Sequence, residues 1–219
     1  MFRKPDGELQ RDVMAELEWE PRVDHADIGV AVTGGVVTLS GYVKTYPEKI
    51  AAEKAVRRVA GVRAIAEEIK VHFASEPKMA DHEIAKRLLD MMDWTVSIPT
   101  DRVKVKVERG WVTLSGAVDW DYQRKEAFRA ASRVTGVAGV TNLLDVKQHP
   151  TPLDVKDRIV SAFKRQADLD AAGVTVSTDG GTVKLGGKVK IWAERGVAER
   201  AAWSAPGVTR VEDNITIAH

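Results

Sequence analysis

Three stretches of the chain set an aromatic side chain beside a cation: Lys44-Thr45-Tyr46-Pro47-Glu48-Lys49, Asp119-Trp120-Asp121-Tyr122-Gln123-Arg124-Lys125 and Lys190-Ile191-Trp192-Ala193-Glu194-Arg195. Tyr and Trp favour a boundary between water and hydrocarbon, and Lys and Arg favour anionic headgroups. Tyr46, Lys49, Trp120, Tyr122, Arg124, Lys125, Trp192 and Arg195 are therefore the candidates for contact with an anionic phospholipid surface or a protein partner. The competing assignment has the aromatics capping a small core or wedging between units, with the cations in water. Asp119 and Asp121 weaken any attraction of the second stretch to anionic lipid.

Other reactive groups are scattered. His25, His72, His82, His149 and His219 occupy unrelated positions, and no His-x-x-x-His pair exists. Surface histidines are the expected outcome, with no metal site or catalytic triad. Carboxylate pairs such as Glu16-Glu18 and Glu67-Glu68 lie among lysines and arginines on solvated faces, whereas acid–base work needs a shaped pocket. With no cysteine, thiol catalysis, disulfides and thiolate metal sites are excluded. The glycines match neither the Gly-Lys-Ser/Thr phosphate loop nor Gly-x-Gly-x-x-Gly. No catalytic residue and no cofactor is expected.

What does recur is architecture. Val37-Thr38-Leu39-Ser40-Gly41 returns as Val112-Thr113-Leu114-Ser115-Gly116 and, more loosely, as Val183-Lys184-Leu185-Gly186-Gly187, at offsets of 75 and 71 residues. Each copy is followed 20 residues later by a Gly-Val pair: Gly61-Val62, Gly136-Val137 and Gly207-Val208. Such spacing defines tandem units, with expected bounds 1–74, 77–148 and 151–219. Units this small gain from packing on a neighbour. Residues 74–78 and 148–152 are the expected linkers, short and proline-bearing.

Each unit reads as helix, strand, strand, helix, strand. Leu9, Val13 and Leu17 recur at helical spacing, as do Ile84, Leu88, Met92 and Val155, Ile159, Phe163. Asp6 is placed to cap the first helix, and Pro21 and Pro99 to stop the first helices of units one and two. Period-two alternation follows, with Ile28, Val30, Val32 against Val37, Leu39, Val43 across Gly34-Gly35, and matching hairpins across Arg109-Gly110 and Gly180-Gly181. An alanine-rich second helix (Ala52, Ala55, Val56; Ala127, Ala130, Ala131; Ala198, Ala201, Ala202) is expected to lie close to the sheet. The second glycines, Gly61, Gly136 and Gly207, are expected to end it as left-handed caps. Gly41, Gly116 and Gly187 are read as structural, letting strand and helix approach or setting a bend. The fold class is α+β: three tandem αββαβ sandwiches, each a three-stranded sheet with two helices on one face. On the open face of the first sheet, Gly29, Ala31, Thr38 and Ser40 are small and uncharged, which suits packing on another unit or a second copy; the second has Lys104 and Lys106 there. Open edges offer a further route to self-assembly.

The formal net charge is +1, and residues 1–74, 75–150 and 151–219 carry 11 basic and 12 acidic, 12 and 11, and 10 and 9 residues respectively. No unit has the basic excess that a phosphate backbone rewards, so nucleic acid is not an expected partner. Met1-Phe2-Arg3-Lys4-Pro5-Asp6 leads into polar sequence without a signal-peptide core, and no later stretch is long enough to span a bilayer. The expected location is the cytoplasm, peripheral to the inner membrane.

The αββαβ order, the Gly-x-Val-Thr-Leu-Ser-Gly strand, the Gly-Val pair and Trp120-Asp121-Tyr122-Gln123-Arg124 resemble the BON domain (bacterial OsmY and nodulation), three times over. The third copy departs, with Lys184 for Thr, Gly186 for Ser and Gly196 inside its helix. The resemblance implies a non-enzymatic phospholipid- or membrane-binding module of osmotic-stress proteins. Two other readings stand beside it: a protein-interaction scaffold that self-assembles through sheet faces or edges, and potassium binding by backbone carbonyls, since a cytoplasmic potassium binder also carries a BON domain.

Overall fold

The structure, a computed structural model, describes residues 4–73, 79–147, 154–166 and 171–217. The expected linkers 74–78 and 148–152, with His149 and His219, lie outside the described residues. The chain forms two compact units, one spanning Lys4–Asp145 and the other running from Val146 onward.

The first unit holds two repeats. In the first repeat α1 (Asp6–Trp19), β1 (Ile28–Thr33), β2 (Val36–Val43), α2 (Tyr46–Arg58) and β3 (Ala64–Val71) follow in order. The second repeats the series as α3 (Asp81–Asp93), β4 (Val103–Glu108), β5 (Trp111–Val118), α4 (Asp121–Arg133) and β6 (Gly139–Val146). Each sheet has three strands with the hairpin's second strand central. β1 runs antiparallel to β2, pairing Ile28 with Gly41 and Thr33 with Val36, and β2 runs parallel to β3 from Val36–Ala64 to Val43–Val71. The second unit carries α5 (Val155–Lys164), β7 (Val174–Asp179), β8 (Thr182–Val189), α6 (Trp192–Trp203), β9 (Arg210–Asp213) and β10 (Thr216–Ile217). β9 and β10 both run parallel to β8 and are one strand interrupted at Asn214-Ile215, where the Ile215 N–H donates to Asp213 Oδ1 at 3.0 Å.

The helical stripes are the core. Leu9, Val13 and Leu17 are buried against Val37, Leu39, Ala52, Ala55, Val56 and Ile69. Ile84, Leu88 and Met92 are buried in the second repeat, as are Val112, Leu114, Ala127 and Ala131. Phe163, Ile159 and Val155 pack with Val183, Leu185, Ala198 and Ala202 in the third. Alanine on the second helix of each repeat brings that helix close to the sheet, and removing apolar area of this kind from water is the main stabilising term.

Four local expectations need correction. Asp6 is not the cap of α1: Pro5 holds that position, and the Asp6 carboxylate reaches across to the hairpin turn, accepting from the Gly34 N–H at 2.7 Å and the Gly35 N–H at 3.1 Å. Asp81 does the same in the second repeat, accepting from Arg109 and Gly110 at 2.7 and 2.8 Å. Pro99 does not stop α3, which ends six residues earlier at Asp93, where the Thr95 hydroxyl donates back to Met91 O at 2.8 Å.

The remaining two corrections concern glycines. Gly61 does not cap α2; the helix gives way to an extended Val59 (φ −76°, ψ 124°), and Gly61 sits at φ +98° in the turn closed by the Val62 N–H on Val59 O. Gly136 and Gly207 occupy the same kind of turn, closed by Val137 on Val134 and Val208 on Ala205. The glycine of Val-x-Leu-x-Gly faces neither α-helix of its repeat but the backbone just ahead of the hairpin's first strand. A Cβ on Gly41 would stand 2.0 Å from Asp27 O, on Gly116 2.0 Å from Arg102 O, and on Gly187 2.2 Å from Gly173 O. It admits the backbone that enters the hairpin's first strand.

One buried charge is confined to the first repeat. Glu20, just past α1, is buried and accepts from Arg22 Nε at 2.7 Å and Nη2 at 3.0 Å, and from Arg58 Nη2 at 3.1 Å. The hydrogen bonds from Arg22, helped by Arg58 and opposed by burial, hold its carboxyl at about 2, against 4.5 for an unrestrained glutamate. A folded value below the unfolded one stabilises the fold above the unfolded value, and that contribution is lost as pH falls toward the folded value. Thermal melts of the native chain and Glu20→Gln are therefore expected to differ most at neutral pH and to converge between about pH 5 and pH 2. A difference that stays constant across that range would show that the pairing does not restrain Glu20.

Candidate functional site

In each repeat the chain leaves the central strand and enters the second helix at the end where the first helix finishes. A single side chain organises that corner. Glu48 accepts from the backbone N–H groups of Asp24 and Lys44, both at 2.9 Å, so it joins the loop before β1 to the loop after β2. Gln123 accepts from Asp119 and Trp120 at 2.9 and 3.0 Å, and Glu194 from Lys190 at 2.6 Å. These residues occupy the third helical position, where a carboxylate or amide can reach back to N–H groups with no helical partner. The Thr45 hydroxyl adds a side-chain cap in the first repeat, accepting from the Glu48 N–H at 3.3 Å.

The candidate aromatics lie at this corner but not at one register. Tyr46 and Trp192 each open their helix, at the position held in the second repeat by Asp121; Trp120 and Tyr122 flank that position. Tyr46 is half-buried at the seam where α2 meets α4. Burial pushes its phenol above the ordinary tyrosine value, and a hydrogen-bonding influence from the backbone of Val140, in the other repeat, acts in the opposite direction. Trp192 is half-buried, with the Arg195 guanidinium 5.4 Å from its ring centre, within cation–π range. Trp120 and Tyr122 are exposed.

The candidate cations are drawn into their own repeat. Lys49, Arg124 and Arg195 share one register and face the last strand, where Glu67, Asn142 and Asp213 share another. Lys49 Nζ donates to Ile69 O at 2.5 Å and lies 3.9 Å from Glu67. Arg195 Nε donates to Asp213 Oδ2 at 2.5 Å. Asn142 donates instead to the Arg124 carbonyl at 2.9 Å, and the Arg124 guanidinium turns to Asp121, which also takes Lys125 at 2.6 Å. On the strand side Glu67, Asn142 and Asp213 each accept from the N–H two residues on, Ile69, Leu144 and Ile215, at 2.9, 3.2 and 3.0 Å. Burial pushes the Glu67 carboxyl up, opposed by the Ile69 N–H and by Lys49. In the first and third repeats the cation thus ties helix to strand, and in the second the Asn142 amide makes that tie.

The open faces carry the other candidates. Gly29 and Ala31 are exposed, Thr38 and Ser40 half-buried, and Val36 and Tyr42 stand exposed beside them. The edge of that sheet is partly covered, since Gln10 Nε2 donates to Val30 O at 2.7 Å. In the second repeat Trp111 lies over Gly139 and donates to Thr141 Oγ1 at 2.8 Å. A cleft of about 350 Å³ at the first repeat's corner is lined by Asp24, Asp27, Tyr42, Lys44, Glu48, His72 and Phe73. Most of its polar groups are engaged: Lys44 pairs with Asp24 at 2.8 Å, Glu48 holds the two loops, and Tyr42 packs on His72 with ring centres 5.6 Å apart. Among the described residues no three His, Asp or Glu side chains are grouped to hold a metal ion, and no helix is long and apolar enough to cross a membrane.

The most exposed aromatics are residues that the sequence reading passed over. Trp19 closes α1 and Trp94 follows α3, at equivalent positions, 83 and 88 % exposed. Both stand at the same end of their repeats as the helix-entry corner. The sequence does carry a signal for them: a tryptophan recurring at the 75-residue offset, outside the buried Leu9-Val13-Leu17 stripe.

Three αββαβ units whose recurring polar side chains fasten loops, helices and strands define a tandem-repeat α+β protein. The chain belongs to the BON domain family: the family model matches residues 5–72, 80–148 and 153–219. It is 32 % identical over 151 residues to osmotically-inducible protein Y of Escherichia coli (strain K12), an alignment covering 65 % of this chain and 73 % of that protein. Among solved structures, the C-terminal domain of CdsD, a structural protein of the type III secretion system of Chlamydia trachomatis, aligns over 99 % of this chain and all of that one, at 13 % identity and a TM-score of 0.26.

Proposed function

We propose that this chain is a non-enzymatic module that associates peripherally with a phospholipid surface in a stress-related role. The family supports the class, and the similarity to an osmotically inducible protein supports the stress setting. The observation that carries the lipid reading is the exposure of Trp19, Trp94, Trp120 and Tyr122 at the loop ends of the first two repeats, away from their closed cores. Tryptophan and tyrosine join an apolar ring to a polar N–H or O–H, a combination suited to the zone between headgroups and acyl chains. At that end the helix-entry corners are held by hydrogen bonds from backbone N–H groups to the Glu48 and Gln123 side chains, so the rings are carried on ordered supports.

Co-sedimentation with vesicles tests this. The full chain is expected to pellet with phospholipid vesicles and to remain in the supernatant without them. Failure to pellet with either zwitterionic or anionic vesicles, at low and at high salt, would sink the proposal.

A further inference from the structure

We infer that the loop end of the second repeat is an apolar tip that enters the interface of a zwitterionic phospholipid bilayer, with Trp94, Val96, Trp120 and Tyr122 as the inserting side chains. The inference rests on the membrane reading above and assigns it a place and a lipid class. These four side chains are 88, 102, 42 and 56 % exposed. They come from the loop after α3 and the entry into α4, which are held together: Arg102, just ahead of β4, binds Asp119, just past β5, with Nη1 at 3.0 and 2.8 Å from its two carboxylate oxygens. Beneath Val96 the chain is anchored by Ile98, which is buried and whose N–H donates to Thr95 O at 2.9 Å.

Charge selects the lipid. At this end Asp93, Asp101, Asp119 and Asp121 are matched in number by Arg102, Arg124, Lys125 and Lys147. Three of these cations are already paired, Arg102 with Asp119 and both Arg124 and Lys125 with Asp121. An anionic membrane would meet a tip with no net positive charge and three of its cations engaged, so anionic lipid adds no attraction over a neutral headgroup layer. The first repeat is built differently. Arg22, Asp24 and Lys44 occupy its corner, and Tyr46 is turned to the seam with the second repeat.

The test uses the full chain and vesicles of phosphatidylcholine alone or mixed with phosphatidylglycerol, each at low and high salt. Partition onto pure phosphatidylcholine is expected, unchanged by salt and not increased by phosphatidylglycerol. Trp94→Ala with Val96→Ser is expected to weaken partition about tenfold or more, as loss of buried apolar area would. Trp120→Ala with Tyr122→Ser, scored with circular dichroism to confirm folding, is expected to do the same and guards against a defect peculiar to the end of α3. Binding that requires phosphatidylglycerol and fades with salt, or that survives both double variants, would overturn the tip while leaving membrane association standing. Absence of binding to every vesicle would remove both.

Discussion

Gly41→Ala is expected to cost on the order of 4 kcal/mol or more, enough to unfold the first repeat in a domain of ordinary stability. Two independent features of the position set that scale. Its φ of +109° is one that L side chains rarely adopt, a strain of roughly 1–3 kcal/mol in itself. The added Cβ would also stand 2.0 Å from the carbonyl oxygen of Asp27. Both partners are backbone, so no rotamer change relieves the clash. The chain entering β1 has to move away, and it is the chain that places Ile28 opposite Gly41 at the start of the hairpin ladder. Gly116→Ala meets the same obstacle at Arg102 O, and its effect should spread further, because Arg102 also ties the two loops of the proposed tip. Gly7→Ala is the control: nothing lies within 4 Å of its new Cβ, and alanine is the better helix former by about 1 kcal/mol, so it should be neutral or slightly stabilising. Gly187→Ala should unfold the third repeat while the unit spanning Lys4–Asp145 keeps its own transition. Denaturant melts followed by circular dichroism measure all four. A Gly41→Ala chain within about 1 kcal/mol of the native one would show that the segment before β1 shifts at little cost.

The glycine illustrates how far sequence could be read. Its periodic surroundings, Val37, Leu39 and Val43 facing inward, were legible because strand burial has a two-residue period. So were the helical stripes, all nine of whose residues are buried. The glycine's partner was not legible, because Asp27 approaches it only once the hairpin has closed. Long-range polar ties were hidden for the same reason. Asp6 and Gly34 lie 28 residues apart, and Lys49 and Ile69 lie 20 apart. A local reading naturally gave Asp6 to its own helix and left Lys49 in solvent. The recurring cation at Lys49, Arg124 and Arg195, and the recurring Glu67, Asn142 and Asp213, could have been paired by their common offset. At the candidate site the end of the domain was legible from the aromatic–cation stretches. Trp19 and Trp94 were marked only by their common offset, and Val96 by nothing, since an apolar residue off the buried stripe can equally be packed by a neighbouring loop.

Asp6→Ala and Asp81→Ala are each expected to destabilise their repeat by about 1–2 kcal/mol, in the range for charge-assisted hydrogen bonds at a partly exposed site. Gly34 and Gly35 have φ of +65° and +79°, and Arg109 and Gly110 have +51° and +77°, so the two turn residues of each hairpin point their N–H groups the same way. In repeats one and two an aspartate from the first turn of the first helix receives both, which fixes that helix against the hairpin independently of the apolar stripe. Arg109 gives the second site its sharper test. It is the sole non-glycine residue with positive φ among the described residues, and the Asp81 carboxylate offsets part of that backbone cost by binding its N–H. Asp81→Ala should therefore be the more damaging of the two, and Arg109→Gly should recover part of the loss. Asp81→Asn should fall between, because the amide oxygen can accept from one turn N–H while its NH2 group cannot accept from the other. Amide hydrogen exchange supplies a readout that a general loss of packing would not mimic. Protection at Gly34 and Gly35 should drop in Asp6→Ala, and at Arg109 and Gly110 in Asp81→Ala, with the opposite repeat's turn unchanged. Unaltered exchange at the turn facing the substituted aspartate would show that the carboxylate does not hold it.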